Sequence, residues 1–259
     1  MNLNIHSRIF ENHLNIATLL ASCIYFVTFF VTLDQVEYYF LNKISGLFQL
    51  ETTLGFARVN MSFPSLSSVS VCVRVQWNPE WNEVSTIFSY AAPVFTNEFQ
   101  LRGQVDMQGR ILLALIIHGK HLPYKASFPN DGAWHHICVT WRRSSGHWAI
   151  YVDGDRKDMG SGTDTSRNIY GDGILILGQD QDSFGGNFTE PFFGNITDLN
   201  VWNMSLETRH VSAINVCSPK THEVLFNWNL DHLIGEGWVF CRLTLVKKVM
   251  VRSHTVGVF

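Results

Sequence analysis

The feature that most constrains this chain is a period of two in its hydrophobic pattern. From Ser62 onward the chain is organised by this alternation. Val69, Val71, Val73, Val75 and Trp77 alternate with Ser70, Cys72, Arg74 and Gln76. Successive side chains of a strand point to opposite faces, so this is a strand with one apolar face. Trp134 to Trp141 repeats the pattern, with Ile137, Val139 and Trp141 on one side. Ile87-Phe88-Ser89-Tyr90 and Phe99-Gln100-Leu101 are further strand signals, and Ile111 to Ile117 is continuously apolar, as a strand covered on both faces would be. Trp148 to Val152 runs into Asp153-Gly154, a hairpin signal. Ile174 to Leu177, Ile196 to Trp202 and Val224 to Trp228 complete the set. Strand signals recurring about every 8–12 residues predict a sandwich or jelly roll. Only Ser205 to Ile214 reads as helix, with Leu206, Val211 and Ile214 on one face and Ser205 as its N-cap.

The cysteines fit this layout. Cys72 lies opposite its strand's valines, and Cys138 lies opposite Ile137, Val139 and Trp141. Two strands laid side by side with those faces aligned bring the sulfurs within bonding range. The alternative is a pair of buried free thiols. A link spanning 66 residues stabilises by roughly 4 kcal/mol in the chain-entropy picture. Cys217 and Cys241 are a second candidate pair, and Cys23 is expected to stay unpaired. No cysteines make a C-x-x-C, which argues against a thiolate zinc site. His135 and His136 are consecutive on a strand, so they face opposite ways and do not share a metal.

Four N-x-[ST] sequons, at Asn60, Asn187, Asn195 and Asn203, together with cysteines on strands, point to the secretory route and an extracellular glycoprotein. Ile16 to Leu33 carries no charge and reads as a signal peptide or signal anchor. It is marginal against the ~20 apolar residues of a spanning helix, and its Phe, Val, Thr and Ile content is also strand composition. Net charge is −3 with no basic stripe, which excludes a nucleic-acid partner as the working expectation. Only 16% of residues are charged, against a typical ~25%, which favours sheets over charged helices. No H-E-x-x-H, G-x-S-x-G or phosphate loop occurs, and no strand sets two carboxylates at i, i+2 on one face; Asp153 and Asp155 come closest, across the turn. The expectation is a binding protein, not an enzyme.

Three stretches resemble the pentraxin family. Ser70-Val71-Cys72-Val73 and His136-Ile137-Cys138-Val139-Thr140-Trp141 match the two halves of its disulfide. Leu177 to Phe188, reading LGQDQDSFGGNF, is similar to its calcium loop, and Ile87 to Ala91 with Asn97-Glu98 resembles the stretch carrying the other calcium ligands. The likeness runs from about Leu54 to about Phe240 and frames three segments: an N-terminal segment 1–50, a pentraxin domain 54–240 and an atypical tail 241–259. It implies an all-β, concanavalin-like jelly-roll sandwich with one short helix. It also implies paired calcium ions, a ligand face for phosphorylated headgroups or sugars, and a cyclic homo-oligomer.

Calcium takes six to eight oxygens from carboxylates, amides and main-chain carbonyls. The resemblance assigns them to Asn97, Asp180, the Gln181 carbonyl and Asp182, with Glu190 as a substitute ligand. The pattern departs in two places. Thr96 stands where the family has an Asp, and Thr189-Glu190-Pro191 stands where it has an acidic residue followed by a further acceptor. Fewer carboxylates weaken a calcium site, and the sequon at Asn187 falls inside the loop. One ion, weakly held, is the expectation. The alternative reading is an adhesion module of a larger cell-surface receptor with a degenerate calcium site. In that reading the chain meets a membrane only through its N-terminal segment or through sequence beyond Phe259.

Overall fold

The structure is a computed structural model. It describes residues 30–33, 36–50, 54–215, 224–228, 232–236 and 239–253. The cysteine pairing considered for Cys217 and most of the apolar stretch 16–33 lie outside the described residues.

In chain order the strands are β1 (Phe30–Leu33), β2 (Val36–Leu50), β3 (Phe56–Val59), β4 (Ser68–Trp77), β5 (Ser85–Ala92) and β6 (Phe95–Val105). Then come β7 (Arg110–Ile117), β8 (Lys120–His121), β9 (Ala126–Pro129), β10 (Trp134–Arg142), β11 (His147–Val152) and β12 (Asp155–Gly160). They are followed by β13 (Ile174–Leu177), β14 (Asp180–Ser183), β15 (Gly186–Thr189), β16 (Gly194–Trp202) and helix α1 (Thr208–Asn215). The last are β17 (Phe226–Asn227), β18 (Leu233–Glu236) and β19 (Val239–Ser253).

Two compact units divide the chain: Gly46–Leu243, and Met1–Ser45 with Thr244–Phe259. Within the smaller unit β1 pairs antiparallel with the start of β2, Phe30 opposite Tyr39 and Leu33 opposite Val36. The larger unit is a sandwich of two antiparallel sheets. One runs β16-β4-β10-β11-β12, with β17 and the end of β2 pairing onto β16. The other runs β18-β3-β13-β5-β6-β7-β8, with β9 on β7. The fold is the expected jelly-roll class.

Between the sheets lies the apolar alternation read from the sequence. Val71, Val73, Val75, Trp77, Ile137, Val139 and Trp141 of one sheet meet Phe88, Phe99, Leu101, Leu113, Leu115 and Leu177 of the other. Trp141 is fully buried; truncating such a side chain to Ala costs about 3–5 kcal/mol. Gly103 is required here, because a Cβ on it would stand 2.6 Å from the Trp77 ring.

The outer face of β4, β10 and β11 is also covered, which the alternation alone does not show. Cys72 lies opposite Cys138 in the β4–β10 register, and the two form a disulfide. Around it pack Tyr151, Trp202, Leu206 and Val211, a second small core under α1. The helix starts at Thr208, later than expected, and Ser205 does not cap it. The reason is Ser70 of β4: its hydroxyl donates to the Met204 carbonyl (2.7 Å) and accepts from the Leu206 N–H (2.9 Å). That holds 204–206 off the helical path. At the other end Arg74 donates to the Asn215 carbonyl (2.8 Å), satisfying one of the acceptors a helix C-terminus leaves open.

Asp153 and Gly154 have φ of 53° and 88°, as a two-residue hairpin turn with both central residues left-handed requires. The turn leads into β12, an edge strand the apolar pattern did not signal because its sequence, DRKDMG, has no buried residue and only Met159 as a large apolar one.

Replacing both Cys72 and Cys138 by Ala is expected to lower stability by roughly 4 kcal/mol, read as a shift of the urea midpoint at unchanged slope.

Candidate functional site

The Gly-rich segment is not an open loop but a two-stranded ribbon, β14 against β15, turning at Phe184-Gly185 with Gly185 at φ 73°. Contrary to expectation, one strand therefore does carry carboxylates at i, i+2, Asp180 and Asp182. It lies on the outer face of the second sheet, packed on β5 and β6. Uncharged residues anchor it. The Gln181 amide donates to the Ser89 carbonyl (2.9 Å) and the Ile174 carbonyl (3.1 Å), and its oxygen accepts from the Gly185 N–H (3.2 Å). The Ser89 hydroxyl donates to the Gln179 carbonyl (2.8 Å). Phe188 packs on Phe56 with ring centroids 4.1 Å apart. Past the ribbon, the Glu190 carbonyl accepts from the Thr86 N–H (2.9 Å).

Under this ribbon β6 presents a polar row. Phe99 and Leu101 face the sandwich core, so Glu98, Gln100 and Arg102 face the other side. Arg102 is the centre of the site. Its guanidinium bonds Asp180 Oδ2 with one terminal nitrogen and Glu190 Oε1 (3.0 Å) with the other. The Arg102 side chain is 12% exposed and that of Asp180 is 2% exposed. Glu190 has φ of 50°, a left-handed conformation that costs a non-glycine residue roughly 1–2 kcal/mol. The Thr86 contacts and Arg102 hold it there, and the Thr86 hydroxyl also donates to Glu190 Oε2 (3.2 Å). Burial raises the Glu190 carboxyl above its ordinary range, opposed by Arg102 and reinforced by Asp180.

The five expected ligand positions are therefore only partly gathered. Asp180 and Glu190 are brought together by Arg102. Asp182 is exposed at the ribbon edge and accepts from the Thr189 hydroxyl (3.1 Å). Asn97 is on β6, its Oδ1 buried with no hydrogen-bond partner among the described residues. Gln181 uses its side chain as an anchor, whereas the atom the resemblance assigns to calcium is its main-chain carbonyl. Calcium would need most of these oxygens turned toward an ion. Yet Asp180 Oδ1 accepts from the Gln181 N–H (2.7 Å), and its other oxygen and both Glu190 oxygens are also engaged. A fixed cation stands against two of the three carboxylates. The residues as folded do not fit a pair of calcium ions. Sequence reasoning missed Arg102, although polar residues at every second position of Glu98-Gln100-Arg102 were a visible sign of a buried polar row.

A second charged cluster lies further along β6. Glu98 is fully buried and pairs bidentately with Arg167 (2.5 and 2.7 Å), and it also accepts from the Tyr170 N–H (2.6 Å). Arg167 lies over the Tyr170 ring at 4.1 Å. His118 packs edge-on to Trp141, with Nδ1 3.1 Å from Asp164 Oδ2 but off the line a hydrogen bond needs. Burial lowers its pKa; Glu98 opposes this and Arg167 adds to it.

His135 and His136 do separate. His135 is clamped between Asp153 (2.7 Å) and Asp131 (3.1 Å), which occupies both ring nitrogens. His136 lies near the disulfide, 3.6 Å from Cys138 Sγ. Cys72, His136 and Cys138 are close enough for a metal, but the two sulfurs are spent in the disulfide. Of the sequon asparagines, Asn60, Asn187 and Asn203 are exposed. Asn195 is half-buried, and the amide nitrogen a glycan would take donates to Gln76 (2.8 Å).

These features define a jelly-roll sandwich with a polar ribbon on one face. The family model described as the Pentaxin family matches residues 47–241, and the chain belongs to that family. It is 37% identical over 175 residues to human adhesion G protein-coupled receptor D2, covering 67% of this chain and 18% of the receptor. It is 34% identical over 183 residues to human neuronal pentraxin-1, covering 69% of this chain and 40% of that protein. The chain thus spans well under half the length of these relatives. In fold it is similar to the native heptameric SAP-like pentraxin of Limulus polyphemus, with TM-score 0.69, 23% identity, and 77% of this chain and 95% of that one covered. The full extracellular region of zebrafish Gpr126/Adgrg6 also matches, with TM-score 0.58 at 15% identity, over 76% of this chain and 26% of that one.

Neutral His118 is favoured over the charged form by burial, against the opposing pull of Glu98 and Asp164. Its contribution to stability is therefore present above the ordinary histidine pKa near 6.5 and is lost as pH falls through the lower folded value. The melting temperature is expected to drop from pH 7 to pH 5, and His118→Leu is expected to flatten that slope in calorimetric scans.

Proposed function

We propose that this chain is an extracellular recognition domain, the protein-binding or matrix-binding module of a larger cell-surface receptor, in which calcium is optional. The observation that carries this reading is the ribbon. It is held in place by Gln181, Ser89 and Arg102, and its outer edge carries Asp182, Phe184 and Asn187 toward solvent, with Phe184 42% exposed. An exposed aromatic on a rigid ribbon is suited to anchor a partner. The similarity to an adhesion receptor supports the setting. The sequons and the disulfide support an extracellular location. Among the described residues no helix is long and apolar enough to cross a membrane.

The role is binding without catalysis. His135, which carboxylates flank on both sides, has neither nitrogen left to activate a nucleophile, and its bonds brace the Asp153 turn. A cyclic homo-oligomer is part of the proposal, supported by the heptameric relative.

A second reading, calcium-dependent recognition of phosphorylated headgroups or sugars, draws on the unpartnered Asn97 Oδ1 and the exposed Asp182.

The two readings separate in one experiment. The full chain, secreted from mammalian cells, is applied to cells and matrix proteins with calcium and with a chelator. Binding that survives chelation and weakens by about fivefold or more in Phe184→Ser supports the adhesion module. Binding lost on chelation, and lost again in Asp182→Asn, would support the calcium-dependent reading instead.

A further inference from the structure

Arg102 is the residue that the family resemblance did not anticipate and that the site is built around. Its two terminal nitrogens contact a carboxylate on β14 and another just past β15. Both carboxylates belong to the set that the resemblance assigns to calcium. A divalent ion at such a place does two things: it neutralises converging carboxylates and it ties the ribbon to the sheet. Arg102 does both from within the chain. It places a permanent positive charge against buried Asp180 and half-buried Glu190. It also joins β6 to the ribbon.

We propose that Arg102 is a resident cation in place of calcium, and that removing its charge exposes a latent divalent-cation site on Asp180 and Glu190. The guanidinium is always protonated at accessible pH, so the ribbon is held without regard to calcium concentration. Its planar fork meets two carboxylates at once, which a lysine does less well. With the charge present, an incoming divalent ion meets a like charge and finds Asp180 and Glu190 already taken. With the charge gone, two neighbouring carboxylates remain with no cation between them, the arrangement that raises affinity for Ca²⁺. The inference goes beyond the adhesion reading and does not need it, since whatever partner binds, the cation inside the ribbon can be tested alone.

The test uses the full chain as wild type, Arg102→Gln and Arg102→Lys, with CaCl₂ as the probe. Isothermal calorimetry reads binding, and thermal melting is followed with calcium and with chelator. The wild type is expected to show no heat and a melting temperature indifferent to chelation. Arg102→Gln is expected to melt lower in chelator, to recover with calcium, and to give a saturable Ca²⁺ isotherm where the wild type gives none. Arg102→Lys keeps the charge and is expected to remain calcium-indifferent. Saturable calcium binding by the wild type with a rise in melting temperature overturns the proposal whatever the variants do. So does a folded Arg102→Gln, verified by circular dichroism, that gains no calcium affinity. If Arg102→Gln folds only when calcium is supplied, the proposal stands, because the ion has then replaced the guanidinium. If that variant fails to fold in either condition, the wild-type titration still decides.

Discussion

Cys72 faces Cys138 across the two central strands of one sheet, and that register settles where every other side chain on those strands goes. Because the strand period is two, a slip of one residue would turn Val71, Val73, Val139 and Trp141 out of the sandwich and the cysteines into it. The disulfide locks the arrangement covalently. Everything on the outer side follows. Ser70 is two residues before Cys72 on the same face and pins Met204 and Leu206. Arg74 is two residues after it and closes the end of α1. The helix has its position because three alternate residues of one strand are a clamp, a crosslink and a cap.

The strands of the core were legible in the sequence because burial imposes a period that composition alone displays. Ile111 to Ile117 and Trp134 to Trp141 appear as elements at nearly the expected bounds. Three things were not legible, each for a physical reason. β12 is an edge strand with no buried face, so pairing with β11 and not hydrophobicity makes it a strand. The start of α1 depends on Ser70, 136 residues from Leu206 in sequence, and no local signal reports it. The acidic residues of the ribbon and of the segment just past it suggested a metal loop, and Asp180 and Glu190 do converge. What they converge on is an arginine 78 residues before Asp180, reached only once β6 lies beneath the ribbon. The resemblance puts Asn97 on a distant loop; it lies instead on β6, its side-chain oxygen buried with no partner among the described residues.

Two buried or half-buried cation–carboxylate clusters lie along β6, and together they account for much of how its outer face is closed. Arg102 ties the strand to the ribbon, and Glu98 ties it to the segment around Arg167 and Tyr170. Such clusters are weak contributors to net stability, since desolvation offsets most of the attraction, but they are costly to half-remove. Removing one partner from either cluster leaves an uncompensated buried charge, so each pair is kept or lost as a unit.

The ribbon has its points of attachment and its exposed side chains on different residues. Gln181, Ser89 and Arg102 work from below, whereas Asp182, Phe184 and Asn187 are on the open edge. Substitutions at the edge leave the attachments untouched, so the chemistry of this exposed edge can change while the scaffold that carries it stays constant.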